Sequence, residues 1–415
     1  MKRDLSGWKN PSVLLTSTGL AGLGDFIYLV AINILVYQLT GSAAAVAGLW
    51  IIGPLTNIFT KFWTGSYIDY RSKKAIMMKT YLIRAGIIAL IPFAPGIVAI
   101  YGMLILLSIA KAFFVPSSVT YITMTVPKEK RKRFNAIRSF TSSGAFIVGP
   151  AVGGALIFLT SIDLTLWLNA LFFVFAALLL IPLPDGEKID KASVPSLNLS
   201  QVLSDFTVVR SFMADNRYFT FIYLMFIAVL LFSFAMDAQE VVFTQKVIGL
   251  SEVDYTLLIS ITGIGSVTAA MLLSVFSHKI SIRMMIAAGL IMMTAGYVIY
   301  AFSWSFTSIA AGFIILGFFN VFLNAGMATF YQNNIPVEVM GRVTSIFQLV
   351  QSVLQVFFIL MIGVIADIVS LRLTIVVLAL SMLAAAVVFS IGVLKRDKVR
   401  YYLETDEQTD GKKTG

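Results

Sequence analysis

Long apolar runs separated by short polar connections dominate the chain from end to end. Each run has about 20 or more largely apolar residues, the length that an α-helix needs to cross a bilayer. The runs are continuous rather than alternating, which argues against barrel strands. The pattern predicts twelve membrane-spanning helices, near 12–38, 43–64, 75–95, 98–125, 139–160, 163–183, 217–246, 252–276, 284–303, 307–333, 343–367 and 370–394.

Basic residues cluster in alternate connections between these predicted helices. Lysine and arginine crowd the N-terminus and the stretches 71–74, 128–133, 279–283 and 395–400, whereas the connections TGSAAA, APGI and SWSF contain neither. Positive charge marks the cytoplasmic side of a membrane protein. The asymmetry predicts an even number of spans with both termini in the cytoplasm. It also explains the net charge of +10 as topology, so nucleic acid is not an expected partner.

Composition narrows the class further. Hydrophobic residues make up 58% of the chain and charged residues 13%, about half the charge of a soluble domain. The chain has no cysteine and one histidine, which excludes disulfides and thiol nucleophiles and leaves no usual transition-metal cluster. No nucleotide-binding G-x-x-x-x-G-K-[ST] run occurs. We therefore expect a bilayer protein with no cofactor, no metal and no enzymatic activity.

A polar stretch interrupts the pattern after the sixth predicted helix. It divides the chain into a six-helix bundle at 1–183, a cytoplasmic linker at 184–216, a second bundle at 217–394 and a disordered cytoplasmic tail at 395–415. The linker includes a predicted amphipathic helix around 199–212. The two halves align without gaps at an offset of 209 residues, where SIDLTLWLNAL lies over SLRLTIVVLAL with five identities. One constant offset through several loops indicates a duplicated six-helix unit.

Parallel six-helix halves form a known transporter architecture, and the loop GSYIDYRSKK between spans two and three contains a family motif. The loop resembles the G-x-L-a-D-r-x-G-r-[RK] motif of the major facilitator superfamily, although Tyr67 and Ser72 depart from it. An acid in this loop can pair with a base or cap a helix N-terminus and so bias a transport equilibrium. The alternative is a solvated basic loop that only sets topology. The candidate gate residues are Gly65, Asp69, Arg71, Lys73 and Lys74.

The fifth predicted span contains GPAVGG, which resembles the motif typical of the superfamily's antiporters. Its residues are Gly149, Pro150, Gly153 and Gly154, with Ala145 in place of the leading glycine. Glycines of this kind allow close helix packing, and the proline removes one helix hydrogen bond. The pattern GLGDFIYLVAINILVYQLTGS near the start is similar to the branch that contains macrolide efflux and enterobactin-type siderophore exporters.

This resemblance implies a monomeric, all-α protein of the bacterial plasma membrane with the major facilitator fold. The resemblance does not identify the substrate, and we predict proton-coupled export of small amphipathic or lipophilic compounds, such as drugs, by alternating access. Three alternatives stay open at this point. The protein could export one siderophore or metabolite, mediate import or facilitated diffusion, or act as a lipid flippase or a non-transporting sensor.

Charges within the predicted spans are the sharpest candidates for chemistry, because each is costly in a bilayer. Asp25 lies deep in span one and is the leading candidate for a proton carrier, the alternative being a carboxylate permanently paired with a base. Asp237 and Glu240 share a helix face in span seven and could bind a proton or a cationic substrate, or line a wet vestibule. The basic candidates are Arg84 and Lys111.

Neutral polar residues complete the set of candidates for a transport cavity. Each of them could instead form a hydrogen bond between helices. These residues are Asn33, Asn57, Asn320 and Asn324.

Overall fold

Thirteen α-helices make up the computed structural model, which describes residues 6–40, 43–185 and 199–403. Within these ranges no residue is in a β-strand. One helix lies in the predicted linker, and each of the other twelve overlaps one predicted span. The helices are α1 (Lys9–Thr40), α2 (Ala43–Asp69), α3 (Lys73–Leu90), α4 (Ile97–Thr125), α5 (Lys128–Leu159), α6 (Ile162–Leu180), α7 (Leu199–Asp215), α8 (Arg217–Val242), α9 (Glu252–Phe276), α10 (Ile282–Ala301), α11 (Phe306–Asn334), α12 (Val337–Ile368) and α13 (Leu371–Leu394).

Eleven of these helices are long and apolar enough to cross a membrane, counted over the described residues. α2 covers the predicted second span but is outside that count, and several of its side chains are outside the described set. The prediction of an all-α membrane protein is therefore confirmed. The twelfth span and the cytoplasmic location of the termini stay predictions.

The helix boundaries show the same repeat as the sequence. The offset of 209 residues places α4 on α11 and α5 on α12 from end to end, with 29 residues in each of the first pair and 32 in each of the second. Helix caps repeat as well, because Ser72 caps α3 and its counterpart Ser281 caps α10. Ser161 and Ser370 cap α6 and α13 in the same way. A serine oxygen at this position satisfies an amide that the helix leaves unpaired.

The contacts of the chain define two units that do not follow the two sequence halves. Unit 1 comprises Met1–Thr125, Thr141–Phe212 and Pro336–Val356, and unit 2 comprises Val126–Phe140, Met213–Ile335 and Phe357–Gly415. α5 and α12 are each divided between the units. A helix of 32 residues is about 48 Å long, so its two ends reach different neighbours. The division into six-helix bundles at 1–183 and 217–394 stays a prediction.

Small residues bring helix backbones together inside unit 2. A Cβ added to Gly296 on α10 would lie 2.8 Å from the carbonyl oxygen of Gly312 on α11, and one added to Gly289 would lie 2.7 Å from the amide nitrogen of Leu323. Neither approach leaves room for a side chain. α10 and α11 therefore pack backbone against backbone, as helices in membranes do when glycine lines their contact.

The start of the predicted tail is ordered, unlike the expectation for 395–415. Arg396–Tyr402 forms a short 3₁₀ helix in which the Tyr402 side chain is buried. The Tyr402 hydroxyl lies 2.8 Å from that of Tyr218 on α8, and Asn334 donates to the Tyr401 carbonyl at 2.9 Å. These two tyrosines explain the order, because they bury aromatic surface against α8 and α11. Tail residues 404–415 and linker residues 186–198 are outside the described part of the chain.

Candidate functional site

A buried cluster of acid and base joins three helices of unit 1. Asp25 on α1 accepts a hydrogen bond from the guanidinium of Arg84 on α3, and its second oxygen lies 3.6 Å from Nζ of Lys111 on α4. The side chain of Arg84 is 6% exposed and that of Lys111 is 58% exposed. Arg84 also lies over the Phe173 ring, 4.1 Å from its centroid. The structure thus brings three predicted charged residues together and gives Asp25 two basic partners.

A polar cavity of about 300 Å³ lies within unit 1 and shares Lys111 with this cluster. Its walls come from α2, α4 and the unit 1 part of α12. Two of the predicted cavity residues, Asn57 and Lys111, are therefore in the wall of a real cavity. The polar lining includes Asn57, Lys61, Ser108, Lys111, Gln348 and Gln351.

Two acids lie one helical turn apart near the end of α8 in unit 2. Oδ1 of Asp237 accepts a hydrogen bond from the Tyr297 hydroxyl at 2.8 Å, and Glu240 has Tyr255 as its hydrogen-bonding neighbour. No base pairs with either acid in the part of the chain that the structure describes. Over the same residues, no group of three potential metal ligands could hold an ion. The described partners of these acids are tyrosine hydroxyls, and their role in proton coupling stays a prediction.

Asp69 forms a contact with the first turns of α12 that we call the clasp, and both sides of it belong to unit 1. Its Oδ1 accepts from the amide of Gly341 at 2.8 Å, and its Oδ2 accepts from the amide and Nε of Arg342 at 3.2 and 2.8 Å. The Asp69 side chain is 2% exposed. The start of a helix carries partial positive charge, so dipole, amides and guanidinium all favour the carboxylate. Asp69 thus pairs with a base and with a helix start at once, while its role as a gate stays a prediction.

The other polar residues of the same loop bind nearby helix ends. Nζ of Lys74 donates to two backbone carbonyls at the end of α6, at 2.7 and 2.6 Å, and Nζ of Lys73 donates to the Asp69 carbonyl at 2.9 Å. Arg71 lies over a tyrosine ring of α2, 4.0 Å from its centroid. Ser72, which replaces the second glycine of the motif, caps α3 through a hydrogen bond of 3.0 Å. The loop therefore holds α3 against α6, and its role in setting topology stays a prediction.

In the second copy of this loop, a basic residue again binds backbone carbonyls at the end of a helix. Arg283, the counterpart of Lys74, donates to two backbone carbonyls at the end of α13, at 3.0 and 3.1 Å. His278 stands where the first copy has Asp69. In unit 2, Lys132 at the start of α5 donates to a carbonyl of this loop at 2.8 Å. Each unit thus joins a loop to the start of a long helix, but the carboxylate clasp occurs in unit 1.

Two glycines of the predicted antiporter motif pack α5 closely against α1. A Cβ added to Gly153 would lie 3.3 Å from Cα of Ile27, and one added to Gly149 would overlap an α1 phenylalanine. Gly154 differs, since no atom lies within 4 Å of an added Cβ there. Pro150 sits inside α5, which remains helical around it. The close approach is thus made by two of the four motif residues.

Most of the remaining predicted residues bond within their own helices. Asn324 donates to Oδ1 of Asn320 at 2.6 Å, as their spacing on one helix face allows, and Asn33 donates to the Leu29 carbonyl at 2.6 Å. Their place in a transport cavity stays a prediction. Gly65 lies in α2, and its surroundings are not among those that the structure describes.

Lys61 is a residue to which the sequence analysis gave no role. It is 3% exposed, lines the cavity and donates from Nζ to the Ala112 carbonyl at 2.9 Å. A charge inside an apolar span was the available signal, since Lys61 lies within the predicted span 43–64. The pairing of Asp69 with Arg342 had no such signal, because 273 residues separate them.

Curated relatives of the chain are transporters of low identity. The chain is 26% identical to the uncharacterized transporter YfiS of Bacillus subtilis over 45% of both chains, and 26% identical to the multidrug efflux pump Tap of Mycobacterium tuberculosis over 39% of this chain and 41% of Tap. These two matches span less than half of each relative. Multidrug resistance protein 2 of B. subtilis is 24% identical over 66% of this chain and 68% of its own length.

Solved structures with the same fold match nearly the whole chain. The human organic anion transporter MFSD10 has a TM-score of 0.76 at 12% identity, covering 93% of this chain and 99% of its own. The fucose:proton symporter FucP of E. coli has a TM-score of 0.72 at 13% identity, covering 93% and 98%. At such identities the likeness shows a shared fold. The family model of the Major Facilitator Superfamily matches residues 14–359, and the chain belongs to this superfamily as a multi-pass protein of the plasma membrane.

Proposed function

We propose that this transporter exports small amphipathic or lipophilic compounds and drives their export by inward proton flow. The observation that carries the proton step is the pair Asp237 and Glu240, whose described partners are tyrosine hydroxyls. Carboxyl groups in spanning helices mark proton paths in pumps and transporters. A pair of them on one helix face offers two positions for a proton that crosses with the conformational change.

Export, rather than import, is supported by the relatives. Tap and multidrug resistance protein 2 are named for multidrug efflux and resistance, and both match this chain at about a quarter identity. Proton coupling is compatible with the fold, since FucP is a proton symporter. Energy for uphill export then comes from an ion gradient.

Asp25 is not the main proton carrier in this proposal, although it was the leading candidate from the sequence. Its two oxygens face Arg84 and Lys111, so a proton can bind there only when a base moves away. Its contact with Lys111 instead suits it to hold that lysine at the edge of the cavity. We propose that Asp25 orients Lys111 and that a proton on Asp25 is a later event in the cycle.

In this proposal, the clasp of Asp69 stabilises one of the two conformations of the transport cycle. Three hydrogen bonds to the start of α12 stabilise the conformation in which they form. Alternating access then requires the clasp to break and reform, so its strength sets the balance between two conformations. The close packing of α5 on α1 at Gly149 and Gly153 keeps those helices in contact as the balance shifts.

The test is proton movement that depends on a transported compound. Full-length protein is reconstituted in vesicles with a pH-sensitive dye and an inward proton gradient, and ethidium, a neutral lipophilic dye and a fluorescent carboxylate are tested as probes. We expect Asp237→Asn with Glu240→Gln to stop proton-driven transport of whichever probe the wild type moves. Asp163→Asn, an exposed acid at the start of α6, is the matched control and should transport normally.

Three results would contradict the proposal. Full proton-driven transport by the double variant would show that neither acid of α8 carries the proton. Binding of the probes by wild-type protein without any flux would identify a sensor rather than a transporter. Loss of coupling in Asp25→Asn, with the double variant unaffected, would return Asp25 to first place.

A further inference from the structure

The charged residues that line the cavity of unit 1 are all basic. Its volume of about 300 Å³ is at the lower end of the range for small-molecule sites. Two lysines line it, Lys61 from α2 and Lys111 from α4, and no acid is among the lining residues. Ligand sites of this kind recognise the group whose charge is opposite to that of their walls.

Lys61 is the more informative of the two lysines because it is buried. It is 3% exposed, and its Nζ donates to the Ala112 carbonyl at 2.9 Å. A lysine ammonium has three N–H donors, so two of them are left for another acceptor. No carboxylate lies within 4.0 Å of this Nζ in the described ranges of the chain. A buried cation in a membrane protein normally has a partner.

Lys111 is itself a cation and so cannot neutralise Lys61. The carboxylate near Lys111, that of Asp25, already binds another base. Asp25 lies 3.6 Å from Lys111 but also accepts a hydrogen bond from the buried Arg84. These four residues comprise three cations and one carboxylate. Arg84 and Lys111 share Asp25 as their carboxylate partner, and no carboxylate lies within 4.0 Å of Lys61 Nζ in the described residues. The two lysines of the cavity therefore have one carboxylate near them, and Arg84 already binds it.

The neutral lining suits an anion equally well. Asn57, Gln348 and Gln351 bring amide groups to the same space, and Ser108 brings a hydroxyl. Amides and hydroxyls donate hydrogen bonds to a carboxylate oxygen, and side-chain amides also tolerate a polar neighbour on the ligand. An organic cation, by contrast, would meet two ammonium groups and no acid in these walls.

We infer that this cavity binds the carboxylate of an amphipathic organic anion between Lys61 and Lys111. The inference deepens the proposed function and rests on it in taking the cavity as part of the transport path. A ligand carboxylate that engages Lys111 competes with Asp25 for this lysine. Asp25 still keeps Arg84 as its partner, so ligand binding leaves no buried carboxylate without a base.

The experiment measures binding without any gradient, on full-length protein in phosphatidylcholine nanodiscs. The probe is 11-(dansylamino)undecanoic acid, compared with its methyl ester and with a dansyl trimethylammonium compound of similar length. We expect the carboxylate to bind at least about tenfold more tightly than the ester, the effect of one or more charge-assisted hydrogen bonds. Lys61→Gln should remove this preference, Lys61→Arg should keep most of it, and the exposed Lys79→Gln is the matched control.

Lys111→Gln provides an independent variant if Lys61→Gln does not fold, as judged by its thermal unfolding against Lys79→Gln. Equal binding of carboxylate and ester by the wild type, or tighter binding of the trimethylammonium probe, overturns the inference. Displacement of the probe by a few mole per cent of phosphatidylglycerol also overturns it, because the anion would then be a lipid headgroup.

These outcomes are separable from those of the proposed function. Carboxylate binding that depends on Lys61, without flux in vesicles, keeps this inference and removes the transport proposal. Proton-driven flux of ethidium without carboxylate binding has the opposite effect.

Discussion

Replacing Asp69 by asparagine tests whether the clasp sets the conformational balance. Asparagine has nearly the shape of aspartate but one acceptor oxygen and no charge. It can keep the hydrogen bond from the Gly341 amide, now 2.8 Å from Oδ1. It loses the two hydrogen bonds that Oδ2 accepts from the amide and Nε of Arg342. The change therefore removes most of the clasp with little change in packing.

The magnitude follows from those two hydrogen bonds. A hydrogen bond to a charged group contributes about 1.5 kcal/mol at the low end of its range, so two of them contribute about 3 kcal/mol. This amounts to a shift of about 100-fold in the ratio of clasped to open molecules. Arg342→Gln removes one hydrogen bond to the carboxylate and keeps both amides, so we expect about 1.5 kcal/mol, or about tenfold.

Pulsed electron paramagnetic resonance measures this ratio directly. The natural chain has no cysteine, so Lys79→Cys on α3 and Glu338→Cys at the start of α12 add a pair of spin labels without removing native thiols. Both positions are exposed and belong to unit 1. The wild type should show mainly one distance, Asp69→Asn should show a large second population, and Arg342→Gln a small one.

The order of the two variants decides whether the reasoning holds. An effect of Arg342→Gln as large as that of Asp69→Asn would mean that the guanidinium, rather than the helix start, holds the loop. A single unchanged distance in both variants would refute the clasp as a conformational element. Asp163→Asn on α6 is the control and should leave the distances unchanged.

Three further predictions concern stability, each measured by unfolding of purified protein. Gly153→Leu should lose about 1–3 kcal/mol by overpacking against α1, whereas Gly154→Leu, with open space at its Cβ, should change little; equal effects would contradict this packing. Ser281→Ala should lose about 1 kcal/mol with the cap of α10, and no change would show that this cap is dispensable. Arg84→Leu should lose about 3–5 kcal/mol by leaving Asp25 without its buried partner, and adding Asp25→Asn should recover part of it. No recovery would contradict the pairing.

For the motif residues, the kind of contact could be predicted from the sequence, but the contacting residues could not. The spacing of Asp69 in its loop suggested a base or a helix start as partner, and both occur. The sequence did not show which helix would supply them, because Arg342 lies 273 residues away. Glycines behaved similarly: the motif suggested close packing, but three-dimensional neighbours distinguish Gly153 from Gly154.

The helical membrane fold and the duplication could be predicted from the sequence. Hydrophobicity and helix length are local properties, and an offset of 209 residues is visible in the letters alone. The pairing of the charges, in contrast, could be seen only in the folded chain. Asp25 and Arg84 are 59 residues apart and meet, whereas Lys61 lies in the same unit and meets no acid in the described part of the chain. The energy of a charge in a membrane depends on its neighbours in space, and chain folding chooses those neighbours.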